Sequence, residues 1–157
     1  MRAPDPAWIH GAVQKRKDDI LDWTIRLISF PSENRPPTGA EAGAQVIALG
    51  ADHGGFALKE ALKELVTGLG YRVIDCGTHS TEAVDYPDFA YAVARLVSGG
   101  QAWRGIVVDG AGIGSAMAAN KVPGVRAALC SDHATAVNSR EHNDANVLTL
   151  GAGLIGA

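Results

Sequence analysis

Three short stretches of the chain hold residue types that can move a proton or hold an anion. Asp52-His53 runs into Gly54-Gly55. Asp109 opens the run Asp109-Gly110-Ala111-Gly112-Ile113-Gly114-Ser115. His142-Asn143 sits in the string Arg140-Glu141-His142-Asn143-Asp144. Carboxylates and imidazoles serve as general acids and bases once their surroundings bring the pKa near the working pH. A Gly-x-Gly-x-Gly run leaves backbone N–H groups unmasked, and at a helix N-terminus these form a cradle for an anion or oxyanion. Each stretch also has a plainer reading. Glycines close tight strand-to-helix turns, Asp52 suits a helix N-cap with His53 on the surface, and His142-Asn143 suits the polar end of a helix. His79 and His133 have no supporting motif and read as solvent-facing. The glycine run is not a dinucleotide fingerprint, since it follows the third strand and not the first, and its spacing differs.

The elements that must position these residues follow from punctuation and periodicity. Val46-Ile47-Ala48-Leu49 is a short apolar run ended by Gly50, and it predicts a buried strand. Leu58, Leu62, Leu65 and Leu69 recur at helical spacing up to Gly70. The same alternation continues with strands over 71–76, 105–108, 125–130 and 147–150. Helices are expected over 86–97, from the glycine run to Asn120, and over 132–140. Near-continuously apolar strands alternating with helices predict a parallel sheet covered on both faces. The fold class is therefore α/β, a doubly wound, Rossmann-like, five-stranded parallel sheet. In such sheets ligands bind beyond the carboxyl ends of the strands, which is where Asp52, Asp109 and the glycines fall.

Residues 1–44 differ in character. Apolar residues from Trp8 to Phe30 recur at roughly helical spacing around Lys15-Arg16-Lys17-Asp18-Asp19, predicting an amphipathic helix over about 6–29. Pro31, Pro36, Pro37 and Gly39 then break it into a linker. Two units are expected, 1–44 as helix and linker and 45–157 as the α/β domain. An isolated helix is marginal in water, so its apolar stripe calls for a docking surface or a larger assembly.

The bulk composition narrows the function classes. The 157 residues, 46% hydrophobic and 20% charged, suit one globular domain with a buried core. A net charge of −3 with scattered Lys and Arg gives no footprint for nucleic acid. No apolar run is long enough to span a membrane and the N-terminus lacks a signal-peptide core, so a cytoplasmic protein is expected. Cys76 and Cys130 fit neither a disulfide framework nor a zinc spacing and read as small buried residues.

Taken together, several strings resemble the ribose-5-phosphate isomerase B / galactose-6-phosphate isomerase family. They are Gly50-Ala51-Asp52-His53-Gly54-Gly55-Phe56 with Leu58-Lys59, Asp75-Cys76-Gly77-Thr78, Asp85-Tyr86-Pro87, Ala118-Ala119-Asn120-Lys121 through Arg126, and Ser139-Arg140-Glu141-His142-Asn143-Asp144-Ala145-Asn146. They stand in the family's order and at its spacings across residues 45–157. The resemblance implies interconversion of an aldose phosphate and a ketose phosphate through an enediolate, with no metal or organic cofactor. It implies His142 as the ring-opening acid/base, Asn143 as a hydrogen-bonder to substrate, Asp52 on sugar hydroxyls and His53 toward the phosphate. Gly110, Gly112 and Gly114 would form the anion hole, with Tyr86 and Ser115 completing the substrate-binding set.

The chain also departs from the family pattern. Asp109 stands where many members carry a proton-abstracting cysteine, Ser115 where others carry a glutamate, and Ala111 where Ser or Thr is usual. Asp109 is thereby expected as the base. Asp109 with Ser115 is similar to one subunit type of galactose-6-phosphate isomerase, which works as a heteromer. Gly153 stands where the family has an arginine, and the family continues into a C-terminal helix beyond the position of Ala157. The implied partners are a sugar or sugar phosphate and further subunits, as a homodimer, tetramer or heteromer. The alternative expectation is a weakly active or inactive member that acts as a partner subunit or is recruited by its N-terminal helix.

Overall fold

The computed structural model describes residues 45–155. The expected N-terminal helix and linker lie outside the described residues. Five strands and five helices alternate: β1 (Val46–Ala51), α1 (Phe56–Gly68), β2 (Arg72–Asp75), α2 (Tyr86–Ser98), β3 (Arg104–Asp109), α3 (Ile113–Ala119), β4 (Ala127–Leu129), α4 (His133–Glu141), β5 (Val147–Gly151) and α5 (Ala152–Ile155). All strand pairs are parallel and the sheet order is β2-β1-β3-β5-β4. The doubly wound α/β sheet expected from the alternation is the observed fold. The order reverses between β1 and β3, so the switch point lies between those two strands.

The period-two alternation of each central strand splits the core into two layers. Ile47, Leu49, Ile106, Val108, Leu148 and Leu150 meet Leu58, Leu62 and Val66 of α1, with Ala136 of α4 and Ile155 of α5. Ala48, Val107 and Val147 face the other way, against Ala90, Val93, Ala94 and Val97 of α2 and Ala119 of α3. Leu49, Leu62, Ile106 and Leu148 are almost wholly buried. Truncating any one of them to alanine removes about 2–5 kcal/mol.

Two boundaries differ from the sequence reading for local reasons. The fourth strand, expected over 125–130, shrinks to Ala127–Leu129, and asparagine side chains take backbone groups at its start. Asn120 accepts from Ala127 N through Oδ1 at 2.9 Å and donates Nδ2 to Ala127 O at 2.8 Å, while Arg126 N donates to Asn146 Oδ1 at 2.8 Å. The second strand stops at Asp75, which turns its carboxylate toward α1. Lys59, with no side-chain exposure, donates to both Asp75 oxygens at 2.8 Å and pairs with Glu60 at 2.7 Å; Lys63 reaches Asp75 Oδ2 at 2.7 Å. This cluster pins α1 to the end of β2.

Burial pushes the Asp75 carboxyl up, but hydrogen bonds from Lys59, Lys63 and the Gly77 N–H outweigh it and hold the pKa at about 2, below the ordinary 3.8. A folded-state pKa lowered in this way contributes stability above the ordinary value and loses it as pH falls through about 2. The shift corresponds to roughly 2 kcal/mol. Urea unfolding measured from pH 5 down to pH 2 is expected to show that component in the native chain. Asp75→Asn is expected to lack it and to be less stable at pH 7 by several kcal/mol, because Lys59 then stays buried with one charge partner fewer.

Candidate active site

At the carboxyl end of β1 the backbone of Asp52 stays attached to β3, its N–H donating to Val108 O at 3.2 Å. The side chain bends forward to accept from Gly55 N, three residues on, at 2.9 Å, just before α1 begins. Asp52 is 9% exposed. A Cβ placed on Gly54 would stand 3.4 Å from Asp52 Oδ1 and 3.6 Å from Gly110 N, so the carboxylate and the start of the glycine loop are neighbours on the two sides of Gly54. Asp52, His53 and the loop after β3 therefore form one cleft at the switch point.

His53 is exposed, and its Nδ1 accepts from Val84 N at 3.2 Å. A neutral ring that accepts at Nδ1 carries its proton on Nε2, so the imidazole presents a donor away from the Val84 loop. Tyr86, the first residue of α2, lays its ring over the glycine run: a Cβ on Gly114 would fall 2.5 Å from Tyr86 Cζ and 2.8 Å from its hydroxyl oxygen. Only glycine at 114 leaves room for this wall.

Asp109 ends β3, and its carboxylate turns into the loop that follows. Oδ1 accepts from Ala111 N at 2.7 Å and from Gly112 N. Oδ2 accepts from Ser115 N at 3.0 Å and from the Ser115 hydroxyl. Gly112 adopts φ +76, which only glycine takes readily, and a Cβ there would fall 2.9 Å from Gly151 N. The loop is thus wound around Asp109 and seated on the end of β5, where Gly153 N also donates to Gly110 O at 3.0 Å. Three expectations change accordingly. The Gly112 N–H is spent on Asp109 and is not offered to a ligand. Ser115 is fully buried and does not reach the cleft. Asp109 is 5% exposed, and both its oxygens accept from loop donors. The plain capping reading of a strand-end aspartate describes it better. Gly110 is exposed, and a Cβ there would meet nothing within 4 Å, so the loop opens toward the cleft at that residue.

His142 and Asn143 are not brought to this cleft. α4 starts with a capping box at Asp132, whose carboxylate accepts from Thr135 N at 2.7 Å, and runs back to the amino end of the sheet, where β5 begins. His142 is its C-cap. Both residues are exposed at the far end of β5, about a strand's length, ~15 Å, from Asp109. Asn143 lines an open groove of about 500 Å³ along α4 with Leu129, Asp132, Thr135 and Asn138. Among the described residues no group of three or more His, Cys, Asp or Glu side chains is placed to hold a metal ion, and no helix is long and apolar enough to cross a membrane.

The sequence reading missed the structural work of Asn120, Asn146 and Lys59, all inside the family strings. Asn120 reaches Ala127 seven residues on, Asn146 reaches Arg126 twenty residues back, and Lys59 finds Asp75 sixteen residues on. The Asp132-x-x-Thr135 capping box was visible in the sequence as a spacing.

A polar cleft at the β1–β3 switch point of a doubly wound parallel sheet, with an acid, a histidine and a glycine loop, defines a small-molecule enzyme of the open α/β class. The chain belongs to the Ribose/Galactose Isomerase family, whose model matches residues 47–157. It is 46% identical over 110 residues to ribose-5-phosphate isomerase B of Escherichia coli, covering 70% of this chain and 74% of that one. It is 41% identical over 111 residues to the D-erythrulose-4-phosphate isomerase of Pectobacterium atrosepticum, covering 70% and 73%. Its structure resembles that of ribose-5-phosphate isomerase B from Clostridium thermocellum with a TM-score of 0.71 and 52% identity, over 71% of this chain and 76% of that one.

The Tyr86–Gly114 contact gives a direct check on the cleft wall. Gly114→Ala is expected to lower unfolding stability by about 1–3 kcal/mol through overpacking. Tyr86→Ala in the same chain is expected to recover most of that loss, so denaturant unfolding of the two single variants and the double variant reads the contact as a non-additive term.

Proposed function

We propose that this chain is an aldose–ketose isomerase acting on a phosphorylated sugar through an enediolate. The observation that carries the reading is where the similarity falls. The family model matches residues 47–157, the stretch that builds the β1–β3 cleft, and relatives named as sugar-phosphate isomerases are 41–52% identical to this chain. The chemistry needs three things: a donor and acceptor to open the sugar ring, a base beside the carbonyl, and N–H groups for the enediolate oxygen, each such donor worth several kcal/mol in comparable oxyanion sites. His53 and the open face of the glycine loop at Gly110 suit the anionic parts of such a substrate, with Tyr86 as a wall. Asp109 holds the loop in shape.

His142 and Asn143 enter this reading as ring-opening acid/base and substrate hydrogen-bonder supplied by a second copy of the chain. Their position at the opposite end of the sheet from Asp52 supports this, because one chain alone leaves the cleft without them. The assembly is then a dimer, or a tetramer built from dimers, with one histidine crossing into each partner cleft. A phosphorylated sugar is an anion that does not pass a bilayer unaided, so the same reading expects the reaction in the cytoplasm.

Two measurements test the proposal. The full chain, assayed with ribose 5-phosphate, D-erythrulose 4-phosphate, allose 6-phosphate and galactose 6-phosphate, is expected to equilibrate at least one aldose–ketose pair; silence on all four overturns the reading. His142→Ala and Asp52→Asn are each expected to be inactive alone. Unfolded and refolded together, they are expected to recover about a quarter of native activity, since half of the random dimers hold one intact site of two. No recovery on mixing would place all site residues in one chain.

A further inference from the structure

Asp109 and Asp52 are the two largely buried carboxylates at the cleft, and the loop geometry separates their roles. Asp109 receives Ala111 N and Gly112 N on one oxygen and Ser115 N and the Ser115 hydroxyl on the other. A carboxylate has about four lone-pair positions, so Asp109 has none left for a substrate proton. Asp52 is held in place by one bond only, Gly55 N to Oδ1 at 2.9 Å, and its Oδ2 accepts no hydrogen bond among the described residues. Its carboxylate lies near Gly110, where the loop opens, since a Cβ on Gly54 would stand 3.4 Å from Asp52 Oδ1 and 3.6 Å from Gly110 N. The other titratable neighbours suit the task less well. His53 gives its Nδ1 to Val84 N, Asp85 and Asp88 are exposed at the start of α2, and Tyr86 lies flat on Gly114.

We propose that Asp52, and not Asp109, is the base that carries the proton between the two substrate carbons, an assignment that rests on the isomerase reading above. Asp52 Oδ2 takes the proton from the hydroxyl-bearing carbon next to the aldehyde. The C–H pair becomes the carbon–carbon double bond, and the carbonyl pair moves onto oxygen to give the enediolate. The protonated Asp52 then returns its proton to the former aldehyde carbon, while the hydroxyl proton passes from the second oxygen to the first. Atoms and electrons balance, and Asp52 ends ionised as it began. A near-buried carboxylate fixed by a single N–H suits this cycle, because its free oxygen can gain and lose a proton without breaking the turn that positions it.

The test uses the full chain in deuterium oxide with whichever of the four sugar phosphates above the native chain turns over fastest. Proton NMR follows solvent exchange at the carbon beside the carbonyl. Asp52→Asn keeps the Gly55 bond through its amide oxygen and is expected to fold. It is expected to lose at least about 100-fold in both kcat and exchange with little change in KM. Asp52→Ser, which also keeps an acceptor for Gly55 N, serves if the asparagine variant unfolds. Asp109→Asn is expected to melt at a lower temperature, since its NH2 group opposes the Ser115 donors, yet still to exchange the substrate proton. Asp52 variants that exchange at the native rate and lose only affinity would make Asp52 a hydroxyl binder and overturn the assignment. Asp109→Asn that melts normally and exchanges nothing would return the role to Asp109. A native chain that neither turns over nor exchanges any of the four sugar phosphates fails at the isomerase reading itself, an outcome separate from both.

Discussion

Four donors converging on the Asp109 carboxylate decide the shape of everything at the carboxyl end of the sheet. A strand-end aspartate beside a glycine-rich turn has a choice between reaching out to a ligand and folding the turn around itself. Here the second outcome wins, because Gly112 in the left-handed region aims its N–H inward and Ser115 adds a hydroxyl. The loop then needs no ligand to hold its form, and charge-assisted bonds of this kind are roughly twice as strong as neutral ones. Its contact with the end of β5 follows, and so does the exposure of Gly110 as the part that faces outward.

That arrangement also explains why the cleft and the core do not compete. The two apolar layers stop at the strand ends, where Ala51, Val108 and Leu150 are still buried, and the polar groups begin one residue later with Asp52, Asp109 and Gly151. The charged cluster around Asp75 lies at the edge strand of the same end and ties α1 down independently of the loop. The site is therefore carried by rigid elements, and its specificity can change through side chains without disturbing the sheet.

How much of this was legible in the sequence depends on the range of the interaction. The strands and helices up to β5 were legible because glycines and apolar runs are local signals. The position of Asp52 opposite the glycine loop followed from the rule that ligands gather beyond the carboxyl ends of strands. The direction of the Asp109 carboxylate was not legible: the same residues fit a base or a cap, and only the φ of Gly112 and the burial of Ser115 separate them. The start of β4 was not legible either, since Asn120 and Asn146 take backbone groups there and meet that strand only after the chain has folded. The short α5 was missed because Gly153 interrupts it and no helical period develops over four residues.

The asparagine clasp on β4 has one more effect. β4 is an edge of the sheet, and an open edge invites the strand of another molecule. Asn120 occupies both the N–H and the carbonyl of Ala127 that point away from β5, imitating the strand that would otherwise add there. At Ala127 the edge is already paired, by a side chain. Strand addition is disfavoured at that point of β4, where a second strand would have to displace the asparagine.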